Sequence, residues 1–218
     1  MPDFYRRHLP HWHPPEAQFF ITFRLAGSLP REVIAEVERE LAAARTRNNS
    51  PEVLTREQHR FALYERYLES APQGPTWLAQ PAVAGVVRAE MHRLDGQRYT
   101  LLAYCIMPNH VHLLIDTVGF ASGQTPTTSV SFLTETLRLL KGRSARFANQ
   151  YLKRRGAFWQ SESFDHVVRS PESLLRIVRY IAYNPVRAGL VNQWRHWPFT
   201  WVQPELIEAA GLDMENKQ

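Results

Sequence analysis

Tyr104-Cys105-Ile106-Met107-Pro108-Asn109-His110-Val111-His112-Leu113-Leu114-Ile115 reads as an apolar strand, a Pro-Asn turn, and a second strand that opens with two histidines one residue apart. Side chains at i and i+2 of a strand share a face, so His110 and His112 can present two imidazoles to one point in space. Val111, Leu113 and Ile115 take the opposite face, which suits a sheet backed by helices. Two imidazoles at this spacing begin a divalent-metal site. An isolated His-x-His also has a plainer reading, as two polar residues at a strand mouth, and its meaning depends on the rest of the chain.

Upstream, Gln18 to Leu25 is aromatic and β-branched and reads as a first strand, closed by Ala26-Gly27-Ser28. Helical spacing follows from Pro30 to about Arg45, from Arg56 to Leu68, and from Pro81 to about Leu94, with a break at Ser70 to Pro75. A second His-x-His, His11 and His13, lies between prolines with no strand pattern to carry it, and reads as part of a surface arm. Downstream of the hairpin, Thr127 to about Asn149 reads as a helix with a core stripe of Val130, Leu133, Leu137, Leu140 and Phe147. Gly142 inside it suggests a close approach by another backbone or a ligand. Ser163 to Val168 reads as a last strand.

Ser170-Pro171-Glu172 is a helix start, with Ser as cap, Pro at the first helical position and an acid in the first turn. The expected helix runs to Tyr183, because Pro185 biases Asn184 toward leaving it. Leu174, Ile177, Val178 and Ile181 form its core face. Tyr180 and Asn184 stand one turn apart, about 40° on the helical wheel, at the boundary of core and solvent. Tyr183 falls with Arg176 and Arg179 on the outer face.

These parts suit phosphodiester cleavage. A tyrosine hydroxyl is a weak nucleophile at neutral pH, and a divalent cation on the scissile phosphate compensates by stabilising charge and fixing in-line geometry. Two imidazoles and one amide oxygen make a partly open ligand set that fits Mn2+ or Mg2+ better than structural zinc. Tyr180 read alone is a half-buried packing tyrosine, and Asn184 read alone is a helix cap before proline.

Charge points to the partner. The 218 residues carry 26 Lys/Arg and 21 Asp/Glu. Residues 136–203 hold 12 Lys/Arg against three acids, a balance of +9, and the remainder holds 14 against 18, a balance of −4. Such asymmetry is the footprint of a nucleic-acid surface, with a solvated basic face as the alternative. Arg138, Lys141, Arg143 and Arg146 lie on the helix, and Lys153 and Arg154 follow it. One cysteine, Cys105, excludes an internal disulfide and a Cys-rich zinc site. The absence of a signal-like or membrane-length apolar run leads to the expectation of a cytoplasmic protein without membrane contact.

Pro108-Asn109-His110-Val111-His112-Leu113 followed by Arg179 to Val191 (Arg-Tyr-Ile-Ala-Tyr-Asn-Pro-Val-Arg-Ala-Gly-Leu-Val) closely resembles the one-tyrosine HUH transposases. The nearest branch is the one associated with repetitive extragenic palindromes. The resemblance extends through Phe20 to Leu25, Gly74 to Leu78, Leu140-Lys141-Gly142 and Phe158-Trp159-Gln160, covering about residues 5–201. It implies an α+β fold, a ferredoxin-like antiparallel sheet with helices on one side, to which this chain adds extra helices in the first half. A single domain over 1–218 is expected, with a catalytic core over about 16–191, a helical insertion over about 46–95 and a C-terminal extension over 192–218. It implies nicking and rejoining of single-stranded or hairpin DNA through a 5′-phosphotyrosine. His110 and His112 match the metal ligands, Tyr180 the nucleophile and Asn184 the third ligand, and Arg187 joins the DNA-binding residues. The rival expectation is a non-catalytic protein that binds palindromic hairpins. A replication-initiator or relaxase nickase is a third. Monomer and homodimer stay open.

Overall fold

The computed structural model describes residues 14, 16–30, 32–37, 39, 63, 66–68, 74–120 and 132–213. The expected N-terminal arm with His11 and His13, Val130, and most of the two helices over 30–68 lie outside them. Strand β1 is Gln18–Arg24, helix α1 Pro81–Leu94, strands β2 and β3 Thr100–Ile106 and His110–Asp116, helix α2 Phe132–Tyr151 and strand β4 Phe164–Val167. Helix α3 is Pro171–Arg187, strand β5 Thr200–Val202 and helix α4 Pro204–Ala209. The sheet order is β4-β1-β3-β2-β5, and each pairing is antiparallel. The run β1-α1-β2-β3-α2-β4 with strand order 4-1-3-2 is the ferredoxin-like arrangement, extended by β5 at the β2 edge.

Strand alternation divides the interior into two cores. Phe19, Ile21, Phe23, Val111, Leu113 and Ile115 face one way and pack with Val83, Val87 and Met91 of α1 and with Leu133, Leu137 and Leu140 of α2. Phe20, Cys105 and Leu114 face the other way and pack with Val178, Ile181 and Ala182 of α3. Helices therefore lie on both faces. The pair α1 and α2 covers one face as expected, but α3 covers the other, the side that carries the histidines, so the expectation of helices on one side only is corrected. A bulge between Leu101 and Ala103 shifts the β2–β3 register and leaves Cys105 opposite His112.

Several expectations change. α1 is not part of an insertion: it is the crossover helix from β1 to β2, and its apolar face is fully buried in the main core. The expected C-terminal extension, as far as Asp213, is built into the fold. β5 completes the sheet edge, and Trp194, Ala210 and Leu212 are buried in the second core. Phe147 leaves the core stripe and is 38% exposed. From Leu140 onward the small residues Ser144, Ala145 and Ala148 face inward, and the Phe158-Trp159 segment fills the space, with Trp159 Nε1 donating to Ser144 Oγ at 3.0 Å. Nothing lies within 4 Å of a Cβ built on Gly142, so that glycine marks no close backbone approach.

Helix α3 also runs past Asn184 to Arg187, carrying Pro185 inside it. Its stop lies further on, at Gly189 with φ +68°. There Leu190 N–H bonds Pro185 O at 2.9 Å and Gly189 N–H bonds Val186 O at 2.9 Å, the two bonds of a Schellman end. Those bonds and the burial of Pro185 outweigh the local preference of the residue before proline. At its start, Ser170 Oγ accepts from Ser173 N–H at 3.2 Å, as expected of the cap.

Candidate active site

The β1–β3 register sets Thr22 opposite His112 and Arg24 opposite His110. Both imidazoles are buried. Their Nε2 atoms lie 3.0 Å apart, and each ring is held from behind through its Nδ1. His110 Nδ1 meets Asn109 Oδ1 at 2.6 Å. Asn109 Nδ2 donates to Leu68 O at 3.1 Å, and a carbonyl only accepts, so the amide oxygen faces His110. His110 Nδ1 therefore carries the proton, and its Nε2 offers a lone pair. His112 Nδ1 lies 2.8 Å from Thr22 Oγ1. A hydroxyl can donate or accept, so His112 can present Nε2 either as a donor to His110 or as a second lone pair.

Two Nε2 atoms converging on one point, with both Nδ1 atoms held by hydrogen-bonded neighbours, form the arrangement in which imidazoles bind a cation. Among the described residues no group of three or more His, Cys, Asp and Glu forms a metal cage.

Tyr180 arrives on α3 with its ring centroid 5.3 Å from that of His112, edge to face. Phe20 stacks on His112 at 5.7 Å and meets Tyr180 edge-on at 5.8 Å, so one aromatic side chain from β1 steadies both. Arg187 places its guanidinium carbon 5.0 Å from the centre of the Tyr180 ring, within cation–π range. This position follows from continuation of the helix past Pro185: Tyr180 and Arg187 are two turns apart on one face. Asn184 is fully buried one turn beyond Tyr180. Tyr183 packs, half-buried, against the same core rather than standing on the outer face, whereas Arg176 and Arg179 are exposed.

The basic residues divide. Lys141 Nζ donates to Gln160 O at 2.8 Å, Ser161 O at 3.0 Å and Ser163 Oγ at 3.0 Å, which uses all three of its hydrogens. Arg143 Nε donates to the buried Glu90, which also pairs with Arg93. Arg154 is held by Asn149 Oδ1 and Ala157 O and lies over Trp77 at 3.9 Å. Arg138, Arg146 and Lys153 are exposed. Lys141 and Arg154 thus tie the α2–β4 connection together. Sequence reading missed Thr22 and the part played by Asn109, and it placed Arg187 with the general DNA contacts rather than over the tyrosine.

Residues 91–184 match the family model described as Transposase IS200 like. A Haemophilus influenzae protein described as a REP-associated tyrosine transposase is 29% identical over 104 residues, or 47% of this chain. The match spans 58% of that relative's length. Among solved structures, a REP-associated tyrosine transposase bound to a REP hairpin aligns with a TM-score of 0.48 and 17% identity over 94% of this chain and 86% of the other. A Deinococcus radiodurans protein described as a transposase aligns at 0.30 and 16% identity, over 81% and 96% of the two chains.

Proposed function

We propose that this chain, whose residues 91–184 match the model described as Transposase IS200 like, is a tyrosine nuclease and strand transferase acting on single-stranded DNA at hairpin-forming palindromic repeats. REP-associated naming of the Haemophilus relative agrees with that choice of substrate. The observation that carries the reading is the meeting of the two Nε2 atoms 3.0 Å apart with the Tyr180 ring 5.3 Å from His112. A divalent cation, Mg2+ or Mn2+, held by both Nε2 atoms and the Asn184 amide oxygen would polarise the scissile phosphate and stabilise charge in the transition state. Tyr180 Oη forms the bond to phosphorus as the bond from phosphorus to the 3′ oxygen breaks. The tyrosine proton passes to solvent, and the leaving 3′ oxygen takes one up. The products are a free 3′-hydroxyl and a 5′-phosphotyrosine, and attack by a 3′-hydroxyl on that ester rejoins the strand and restores Tyr180. Arg187 brings a permanent positive charge to the phosphate as negative charge accumulates there.

A hairpin oligonucleotide labelled on the 3′ side of the nick tests this in Mn2+ on a denaturing gel. The wild-type chain forms a covalent adduct, and peptide mapping finds it on Tyr180. Tyr180→Phe, His110→Ala, His112→Ala and chelator each abolish the adduct while hairpin binding persists, and Asn184→Ala reduces it. An adduct on Tyr183, or one formed in chelator, overturns the assignment. Hairpin binding without any adduct would make the chain a non-catalytic palindrome-binding protein.

A further inference from the structure

The outer face of α2 carries a feature that the proposed cleavage does not use. Arg143, Arg146, Phe147, Gln150 and Tyr151 are all exposed and fall within about 140° of one another on the helical wheel. Phe147 is 38% and Tyr151 55% exposed, two of the four large hydrophobic side chains so exposed among the described residues. Two neighbouring rings on a basic helix face form the kind of contiguous apolar patch that marks an interaction site. No acid occurs between Thr136 and Ser161, against seven Lys/Arg. Arg143 stands 5.7 Å from the Phe147 ring and is anchored from behind by Glu90. Glu90 pairs with both Arg93 and Arg143, leaving that trio a net charge of +1.

We propose that this face is a stacking track for single-stranded DNA, separate from the cleavage site. It rests on the reading of the chain as a DNA-processing protein and adds where a flanking strand is held. The charge selects a polyanion, and the rings select exposed bases. Phe147 and Tyr151 are four residues apart, about 6 Å along the helix axis, wider than the roughly 3.4 Å spacing of stacked bases along one strand. Neighbouring bases can lie on both rings only in an extended single strand, and a duplex offers no free base faces. α2 packs on the sheet face opposite His112 and Tyr180, so the stretch held on this track lies away from the stretch being cut. Lys153 and Arg155 extend the charge beyond Tyr151, both exposed, on a loop pinned by Arg154.

The test measures binding of fluorescein-labelled dT15 and of a 15-base-pair duplex to the full chain by anisotropy. Phe147→Ala with Tyr151→Ala should weaken dT15 binding about tenfold or more, since each base–ring stack is worth that order. Duplex affinity should change less than twofold. The aromatic swap Phe147→Tyr with Tyr151→Phe should restore dT15 affinity. Adduct formation at Tyr180 on a minimal hairpin substrate should survive the alanine pair, which separates failure of this inference from failure of the cleavage assignment. On the wild-type chain, photocrosslinking of an oligonucleotide carrying 5-bromodeoxyuridine should map to Phe147 or Tyr151, independently of any variant. Unchanged dT15 binding, equal loss on duplex, or crosslinks confined to other elements would each overturn it.

Discussion

Thr22→Val is the sharpest probe of how the histidine pair is set. The substitution keeps the branched shape of a buried strand residue and removes one oxygen, the one 2.8 Å from His112 Nδ1. A buried polar nitrogen left without that partner costs about 1–3 kcal/mol. The added methyl returns roughly 0.8 kcal/mol, so a net loss of about 0–2 kcal/mol is expected, or up to about 8 °C in Tm for a chain of this size. With the cation proposed for this site, the larger expected effect is on metal affinity. Groups that hold a ligating imidazole through its other nitrogen typically contribute 10- to 100-fold in metal affinity, equivalent to about 1.4–2.7 kcal/mol. Titrating Mn2+ into the protein and following the free-ion EPR signal reads this without requiring turnover. Thr22→Ser, which keeps the oxygen, should recover most of the affinity. If Thr22→Val lowers Tm but binds Mn2+ as tightly as wild type, the hydroxyl is a packing partner and the reasoning about the His112 tautomer fails.

Gly189→Ala forces a side chain into φ +68° and should cost about 1–2 kcal/mol in denaturant unfolding; an unchanged midpoint would remove the Schellman end as the anchor of α3. Lys141→Ala deletes a cation bound to three oxygens and should cost about 1–3 kcal/mol, whereas Arg146→Ala should leave the melt alone and weaken DNA binding with a shallower salt dependence. The reverse pattern would return Lys141 to the DNA surface. Burial pushes the Tyr104 hydroxyl up to about 12, while an unfolded tyrosine titrates near 10. Between about pH 10 and 12 the unfolded chain binds fewer protons than the folded one, so stability falls as pH rises through that window. Tyr104→Phe should flatten the fall in urea midpoints, and Tyr99, whose hydroxyl burial also raises, accounts for part of what remains.

What the chain discloses without a structure is what depends on neighbours in sequence. The His110/His112 pair is legible because i and i+2 share a strand face whatever the strand pairs with. The start of α3 is legible because Ser170 and Pro171 act within one turn. Thr22 was hidden because its meaning comes from a register with β3, and no local pattern states which residue faces which. Phe147 misled for a related reason: heptad spacing places it inward, and only the arrival of Phe158-Trp159 against Ser144 and Ala148 turns it out. Pro185 misled because the rule for a residue before proline is local, while the bonds that carry the helix onward close at Gly189 and Leu190. Lys141 reads as a DNA contact because charge is visible in a sequence, whereas the three oxygens around it become visible only in the fold.

The bond from Thr22 to His112 has a kinetic consequence. It closes a loop of 90 residues, and the outermost β1–β3 side-chain pair, Gln18 with Asp116, closes one of 98. Local hairpin closure unites β2 and β3 quickly, but β1 must find its place across a long excursion, and such non-local pairing is slow. The histidines can meet in the early hairpin without the hydroxyl that sets one of them, and Tyr180 is synthesised 68 residues after His112. Assembly of the whole constellation therefore waits for pairings 90 and more residues apart in sequence, and under the proposed cleavage a half-made chain would be harmless toward nearby single strands because its parts become available in that order.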